Sequence, residues 1–284
     1  MIVLNSLESR GGFISTMSQF LDEAGLALFW KKIQDKLPYD NQTVAEKNTQ
    51  LVEKDITSMY EDGSLFENIK NGHFDGINPG NYFNATVNNL EGTATDFTFV
   101  VLELDRYYGT SGNTGNSKTE HHIVVTTKGS TSFGVNVMNS SSNNGGTNSG
   151  GYVGSTMFKT TIPKVDSALQ SVFSDHLKTV SLNLSNTGYK QKPYTYVNTL
   201  VKSYLFTEYE VFGTNTYDDE KYTAYPQYAA FKLNSLLEST LYAYWERSVG
   251  TNSDFFCGVS NSGSPASGGY AINYSYIRPG FLLG

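Results

Sequence analysis

Leu241-Tyr-Ala-Tyr-Trp245-Glu-Arg247-Ser, Asp254-Phe-Phe-Cys-Gly-Val-Ser260, Gly269-Tyr-Ala-Ile-Asn-Tyr-Ser-Tyr276 and Ile277-Arg-Pro-Gly-Phe281-Leu-Leu-Gly284 are the segments on which the fold turns. Short aromatic and branched runs alternate with turn formers, the pattern of compact antiparallel β structure. Apolar residues at the end of a chain need a sheet to dock in, because an undocked strand frays. The polar residues between the runs are Ser, Asn, Gly and Tyr, a composition that suits adaptable surface contact more than chemistry.

The rest of the composition fits that reading. The 284 residues can build one large or two modest domains with real cores. A formal charge of −7 and a pI near 5.1 leave no basic surplus to neutralise phosphates, which argues against nucleic acid as a partner. Charged residues make up 17% of the chain and aromatics 14%, so Asn, Ser, Thr, Gly and Tyr must cover much of the surface. The single cysteine, Cys257, excludes an internal disulfide and a multi-cysteine zinc site, and its apolar surroundings suit a buried, inert thiol. No apolar run is long enough to cross a bilayer, so no membrane insertion is expected. Asn-x-Ser/Thr triplets at Asn41, Asn84, Asn139, Asn183 and Asn273 are read as chance in so Asn-rich a chain.

Residues 1–17 contain Gly11-Gly12 and read as a flexible lead without the features of a signal peptide. Residues 18–36 read as a helix. Phe20, Ala24, Leu28 and Lys31 recur at helical spacing, Asp22 and Glu23 sit in the first turn, and Lys31, Lys32 and Lys36 lie near the end. Leu37-Pro38 stops it. In residues 40–62, Val44 and Leu51 stand one heptad apart with Asn48 and Asp55 in the partner positions, which predicts a short stalk or a polar linker helix. The division expected is therefore a helical attachment and stalk segment over 18–62 and a β-rich α+β head over 63–284.

Within that head, strands are predicted over 82–88, 97–104 and 121–127, with a Gly/Asn/Ser/Thr loop before His121. Residues 139–151 read as a low-complexity loop. Val165, Leu169, Val172, Phe173 and His176 define a helical stripe over 159–177, with Pro163 suited to its first turn. A hairpin is predicted over 179–201.

These segments also carry a resemblance. Trp245-Glu-Arg-Ser248, the strand Phe255 to Val259, and Ile277-Arg-Pro-Gly-Phe281 resemble a C-terminal module of bacteriophage virion proteins. The family has Leu, Val and Ala where this chain has Glu246, Ile277 and Gly280. Leu104-Asp-Arg-Tyr-Tyr108 followed by His121-His122, Gly151-Tyr-Val-Gly-Ser-Thr-Met157, and Gln227-Tyr-Ala-Ala-Phe-Lys-Leu233 look like further parts of it, and Leu205 to Phe212 resembles its acidic strand before Gly213. Leu21-Asp-Glu-Ala-Gly-Leu-Ala-Leu-Phe-Trp30 resembles the segment that joins phage fibres to the particle. The resemblance implies a C-type-lectin-like head on a tail or head fibre at the virion surface. It further implies a homotrimer, capsid or tail proteins bound through residues 18–37, and a host-surface glycan or protein as ligand. Two alternatives stay open, a capsid decoration protein and a virion-borne polysaccharide depolymerase.

Chemistry is weakly marked. His121 and His122, adjacent on a strand, face opposite ways and cannot both ligate one ion without a bend. Asp218-Asp219-Glu220 lacks the oxygen spacing of a calcium loop and reads as an exposed acidic turn. Neither Glu-Pro-Asn nor Gln-Pro-Asp is present to support calcium-dependent sugar ligation, and no cofactor is implied. Glycan hydrolysis needs two carboxylates across a cleft. Glu103, Asp105, Glu208 and Glu210 are available, although Glu208 and Glu210 at i, i+2 suit a solvated strand face. The candidate ligand-binding residues are Tyr107, Tyr108, Tyr270, Tyr274 and Tyr276, with Trp245 beside them, since aromatic platforms give contact area at low entropy cost. Half or more of these aromatics are expected in the core. Arg247 and Arg278 are expected to tie loops to the sheet.

Overall fold

A computed structural model describes residues 42–109, 120–238, 240 and 242–284. The lead over 1–17 and the attachment segment over 18–37 lie outside the described residues. The described chain opens with α1 (Val44–Lys47), α2 (Thr57–Glu61) and α3 (Ser64–Lys70). Thr43 starts α1 through a capping box with Glu46. A stalk over 38–62 is not what residues 42–62 form. Ile56 is fully buried and donates its N–H to the Tyr82 carbonyl, while Val44 and Leu51 lean on the core. Asn48 accepts from the Leu104 N–H at 3.0 Å and donates to the Leu104 carbonyl at 2.9 Å. Asn48, which interrupts the heptad, therefore serves as a clasp to the body, while the Asp55 carboxylate accepts from the Thr57 N–H and hydroxyl at the start of α2.

β1 (Tyr82–Asn88) alternates, with Phe83, Ala85 and Val87 inward and Asn84, Thr86 and Asn88 outward. It pairs along its length with β2 (Ala94–Leu104), across a turn in which Asn89 accepts from the Glu91 and Thr93 N–H groups. β3 (Ile123–Thr127) is buried at every position, as a strand covered on both faces must be. β4 (Val135–Val137) follows, then a short helix, α4 (Gly151–Gly154), and a π turn over Met157–Thr161 that leads into α5 (Ile162–Phe173). Val165, Leu169 and Phe173 form the buried stripe of α5, and Pro163 sits in its first turn.

β5 (Leu177–Lys178) precedes the hairpin of β6 (Val180–Ser185) and β7 (Tyr196–Val201), and β8 (Ser203–Tyr204) completes this part. Residues 205–212 depart from the expected strand: Glu208–Phe212 is a helix, α6. Thr207 accepts from the Glu210 N–H, and the Glu210 carboxylate accepts from the Thr207 N–H. This reciprocal cap overrides the strand-like alternation of Glu and Tyr. α7 (Ala229–Leu233) and the strands β9 (Tyr244–Val249), β10 (Phe255–Val259), β11 (Pro265–Tyr270), β12 (Tyr274–Tyr276) and β13 (Gly280–Leu283) finish the chain.

The architecture is α+β, dominated by antiparallel sheet. One sheet runs β1-β2-β3-β13-β5, with β8 also on β13. A second runs β11-β10-β9-β12-β4. β13 thus lies inside the first sheet, with Phe281 opposite Val125 and Leu282 opposite Lys178. Phe281 packs edge-on against Phe99 at 5.4 Å and beside Phe173 at 5.7 Å. Burial of each such ring is worth about 1.5–3 kcal/mol. Arg278, 2% exposed, bonds the carbonyls of Thr127, Leu237 and Glu238 and the Tyr244 hydroxyl. It fastens β3 of the first sheet to β9 of the second, the tying role its sequence context predicts. Arg247 does the same locally, pairing with Glu210 at 2.7 Å and donating to the Leu205 carbonyl.

Candidate ligand-binding groove

The second sheet carries a groove of about 310 Å³ built from β9 to β12. Two features of the backbone make it. β10 shifts register against both neighbours between Phe256 and Gly258, a bulge of the kind that bends a strand and re-aims its side chains. Gly258 and Gly268 permit it: a Cβ at Gly258 would lie 2.8 Å from the Tyr244 carbonyl oxygen, and one at Gly268, whose φ is +73°, would overlap the Phe256 carbonyl. The second feature is the crossover 271–273, which carries the chain from β11, at one edge, past β10 and β9 to β12.

Trp245 lies in the floor, 2% exposed, with its indole N–H fixed on the Asn136 carbonyl at 2.9 Å. Gly269 packs beside its ring; a Cβ there would meet Trp245 Cη2 at 3.4 Å and Asn273 Nδ2 at 3.6 Å. Tyr274, 73% exposed, and Asn273 form one wall, with Ser260 and Asn261 at the opposite turn. Among the described residues no charged side chain lines the groove, and neither the Tyr274 hydroxyl nor the Asn273 side-chain amide has a hydrogen-bond partner. Polar groups without internal partners beside an apolar floor are the usual make-up of a small-molecule site.

The five tyrosines singled out from the sequence separate. Tyr270 is half exposed and packs edge-on against Phe255 at 4.8 Å, and Tyr276 stacks on Tyr242 at 4.3 Å. These two and Tyr274 belong to the strands around the groove. Tyr107 does not reach a surface: it is 3% exposed, and its hydroxyl lies 3.3 Å from those of both Tyr204 and Tyr228. Tyr108 is exposed but stacks on His121 at 4.1 Å and does not line the groove. Missing from the sequence reading are Gly258, Gly269, Ser260, Asn261 and Asn273. Only the Ser/Gly-rich turn between β10 and β11 hinted at them.

The low-complexity loop over 139–151 also supports this face. Asn139 and Asn148 are buried. The Asn139 amide bonds the Thr147 carbonyl, and the Asn148 amide bonds the carbonyls of Asn252 and Phe255. Side-chain amides replace a hydrophobic core here, and the burial of Asn139 removes it as a glycosylation acceptor.

The carboxylates considered for hydrolysis are placed elsewhere. Glu103 pairs with Arg106 at 2.5 Å, and Asp105 holds His121 Nδ1 at 2.6 Å and the His122 N–H at 2.9 Å. His122 is buried while His121 is partly exposed, and both precede β3, which begins at Ile123 and not at the expected His121. Glu208 and Glu210 are fully buried on α6, not solvated on a strand. Glu208 accepts from the backbone N–H groups of Thr216, Tyr217 and Asp218. Asp218 is buried as well, so the expected exposed acidic turn is in part an inward one.

Glu246 lies fully buried near these groups, and neither of its carboxylate oxygens has a partner among the described residues. Burial, then the charges of Glu208, Asp218 and Glu210, drive its carboxyl well above the usual range, so it is held as the neutral acid. Burial likewise pushes Cys257 up and keeps it an unreactive thiol. Among the described residues no group of three or more His, Cys, Asp or Glu is arranged to hold a metal ion.

No family model, curated protein or solved structure matches this chain. Among the described residues no helix is long and apolar enough to cross a membrane.

Proposed function

We propose that this chain is a bacteriophage virion surface protein, a tail or head fibre whose C-type-lectin-like head holds the host surface through the groove on β9 to β12. The observation that carries this reading is the uncharged groove, walled by the exposed Tyr274 and built by the same C-terminal segments that resemble the phage module. The exposed large side chains Tyr270, Ile272 and Tyr274 lie on and beside the crossover, and they support the reading of this face as a contact surface. Residues 18–37 join the head to the particle, and a trimer presents three grooves together, so that weak single contacts sum to a durable hold.

Antibodies raised against residues 42–284 test this on intact particles. They are expected to decorate the virion surface in electron micrographs and, as monovalent fragments, to block adsorption. Decoration with undiminished adsorption would leave a capsid decoration protein as the better reading. Absence of decoration would remove the virion assignment altogether.

A further inference from the structure

Independently of the attachment reading, we infer that β7 is a self-association edge: two copies of this chain pair their β7 strands antiparallel about a two-fold axis, joining their β6–β7 hairpins into one continuous sheet. Among the described residues β6 and β7 pair only with each other, apart from both large sheets. The phase of their ladder is fixed at two points. The Asn183 N–H turns away from β7 to the Tyr225 hydroxyl at 2.9 Å, and the Asn186 N–H crosses to the Thr195 carbonyl at 3.1 Å. Opposed residues in an antiparallel ladder alternate between bonded and unbonded pairs. Leu184 with Val197 and Leu182 with Thr199 are therefore bonded pairs, and the N–H and C=O groups of Tyr196, Asn198 and Leu200 point away from β6. None of these outward groups has a hydrogen-bond partner among the described residues.

An edge of this kind accepts another strand unless it is shielded. Other edges carry shields: Lys54 and Ile56 bond the backbone groups of Tyr82 on β1, Thr57 takes the Asn84 N–H, and β11 starts on Pro265. β7 lacks them. From Tyr194 to Val201 the sequence holds no charge, no Pro and no Gly, and Leu200 is 73% exposed. Open space adjoins the edge, a groove of about 570 Å³ with Leu200, Val201 and Lys202 on this side and Phe158, Ile162 and Pro163 on the other.

Symmetry and charge single out a second copy as the occupant. With Asn198 on the dyad, Tyr196 of one chain lies opposite Leu200 of the other. Outward groups then meet outward groups at every position, and about six hydrogen bonds form. The exposed Leu200 side chain comes to lie beside the Tyr196 ring. The same register brings Lys202 of each chain to Tyr194 of the other, whose hydroxyl donates to the Asp219 carboxylate. The charges of Asp219 and Asp218 both reach that hydroxyl and outnumber Lys192, 5.7 Å from the ring, so each lysine meets an acidic end. A two-fold contact is closed by two chains, so in a trimer held elsewhere it links neighbouring trimers in pairs.

Light scattering of the purified full chain tests the pairing. The mass is expected to be that of two chains, or of six where a trimer also forms. Asn198→Lys should halve it, because two lysines then face each other across the dyad. Asn198 is exposed and its side chain bonds only those of Ser181 and Asn183, so the variant should keep the parent's circular dichroism. Cysteines report the register. Asn198 lies about 5.5 Å from its own copy between Cα atoms, within the span of a disulfide, whereas Leu200 lies roughly 13 Å from its own. Mild oxidation is expected to link Asn198→Cys chains in pairs and to leave Leu200→Cys chains unlinked; Cys257 is buried and does not compete. This contrast decides even where the lysine variant fails to fold. A parent of one or three chains up to its solubility limit, a mass unmoved by Asn198→Lys, or equal linking at both cysteine positions overturns the inference. Halving from six to three supports the trimer of the attachment reading as well; halving from two to one removes that trimer while the strand pairing stands.

Discussion

At the scale of single residues, the chain places two kinds of polar group in opposite circumstances. Tyr107 and Tyr108 are adjacent in sequence, yet one closes a buried hydroxyl cluster and the other faces water. Nothing in the local sequence separates them, because the β2–β3 connection and not the dipeptide sets which side faces in. Glu246 is the sharper case. Its carboxyl is buried without a partner at the position where the resembling phage module has Leu. Leaving a buried polar group unsatisfied costs about 1–3 kcal/mol. Glu246→Leu is therefore expected to stabilise the fold by about that amount, measured by urea denaturation; a loss of stability would mean that the carboxyl has a role in the fold.

The neighbouring acids give this site a pH signature. Burial raises Asp218 to about 6, raises Glu220 to about 8 with help from the Asp218 charge, and raises Glu238 to about 7. Each binds its proton more tightly folded than unfolded, so its contribution is complete below the ordinary carboxylate range and disappears as pH rises through the folded value. Asp55 and Asp62, lowered by hydrogen bonds from Thr57 and Ser64, act in the opposite sense but at the surface, where they count for little. The melting temperature is expected to be highest near about pH 4 and to fall steadily to about pH 8. A flat or rising profile over that range would contradict the placement of these acids.

At the scale of elements, strands and hairpins were legible wherever pattern and burial agree. The alternation over 82–88 coincides with β1, the predicted hairpin over 179–201 contains β6 and β7, and the stripe Val165, Leu169, Phe173 faces the core from α5. The strand that the resemblance implied over 205–212 is a helix over Glu208–Phe212, because Thr207-x-x-Glu210 is a capping box, a local helix signal that the resemblance did not weigh. The stalk over 38–62 failed for a different reason: the residues that spoil its heptad, Asn48 and Asp55, find partners far along the chain, at Leu104 and Tyr82. This changes where the chain can be cut. A fragment of residues 42–284 is expected to fold, whereas residues 63–284 lose the fully buried Ile56 and the Asn48 clasp. Ile56 alone contributes about 1.5–3 kcal/mol, so the urea midpoint of the shorter fragment should drop sharply. Equal midpoints would restore the stalk.

At the scale of the molecule, the C-terminal segments serve two ends at once. β13 lies within the first sheet, while β9 to β12 shape the groove on the second, and Arg278 bonds groups belonging to both. The tyrosines at 270, 274 and 276 were legible as a surface set because they sit in a turn-rich, Ser/Asn-bearing stretch. The groove itself was not, since it arises from a bulge and a crossover that only the assembled sheet creates. Adsorption is the direct test. Particles carrying Tyr274→Ala should assemble in normal number, with this chain present, and adsorb to host cells roughly tenfold more slowly than the parent. Adsorption at the parental rate, with the variant chain present on the particle, would contradict the assignment of this groove as the attachment face.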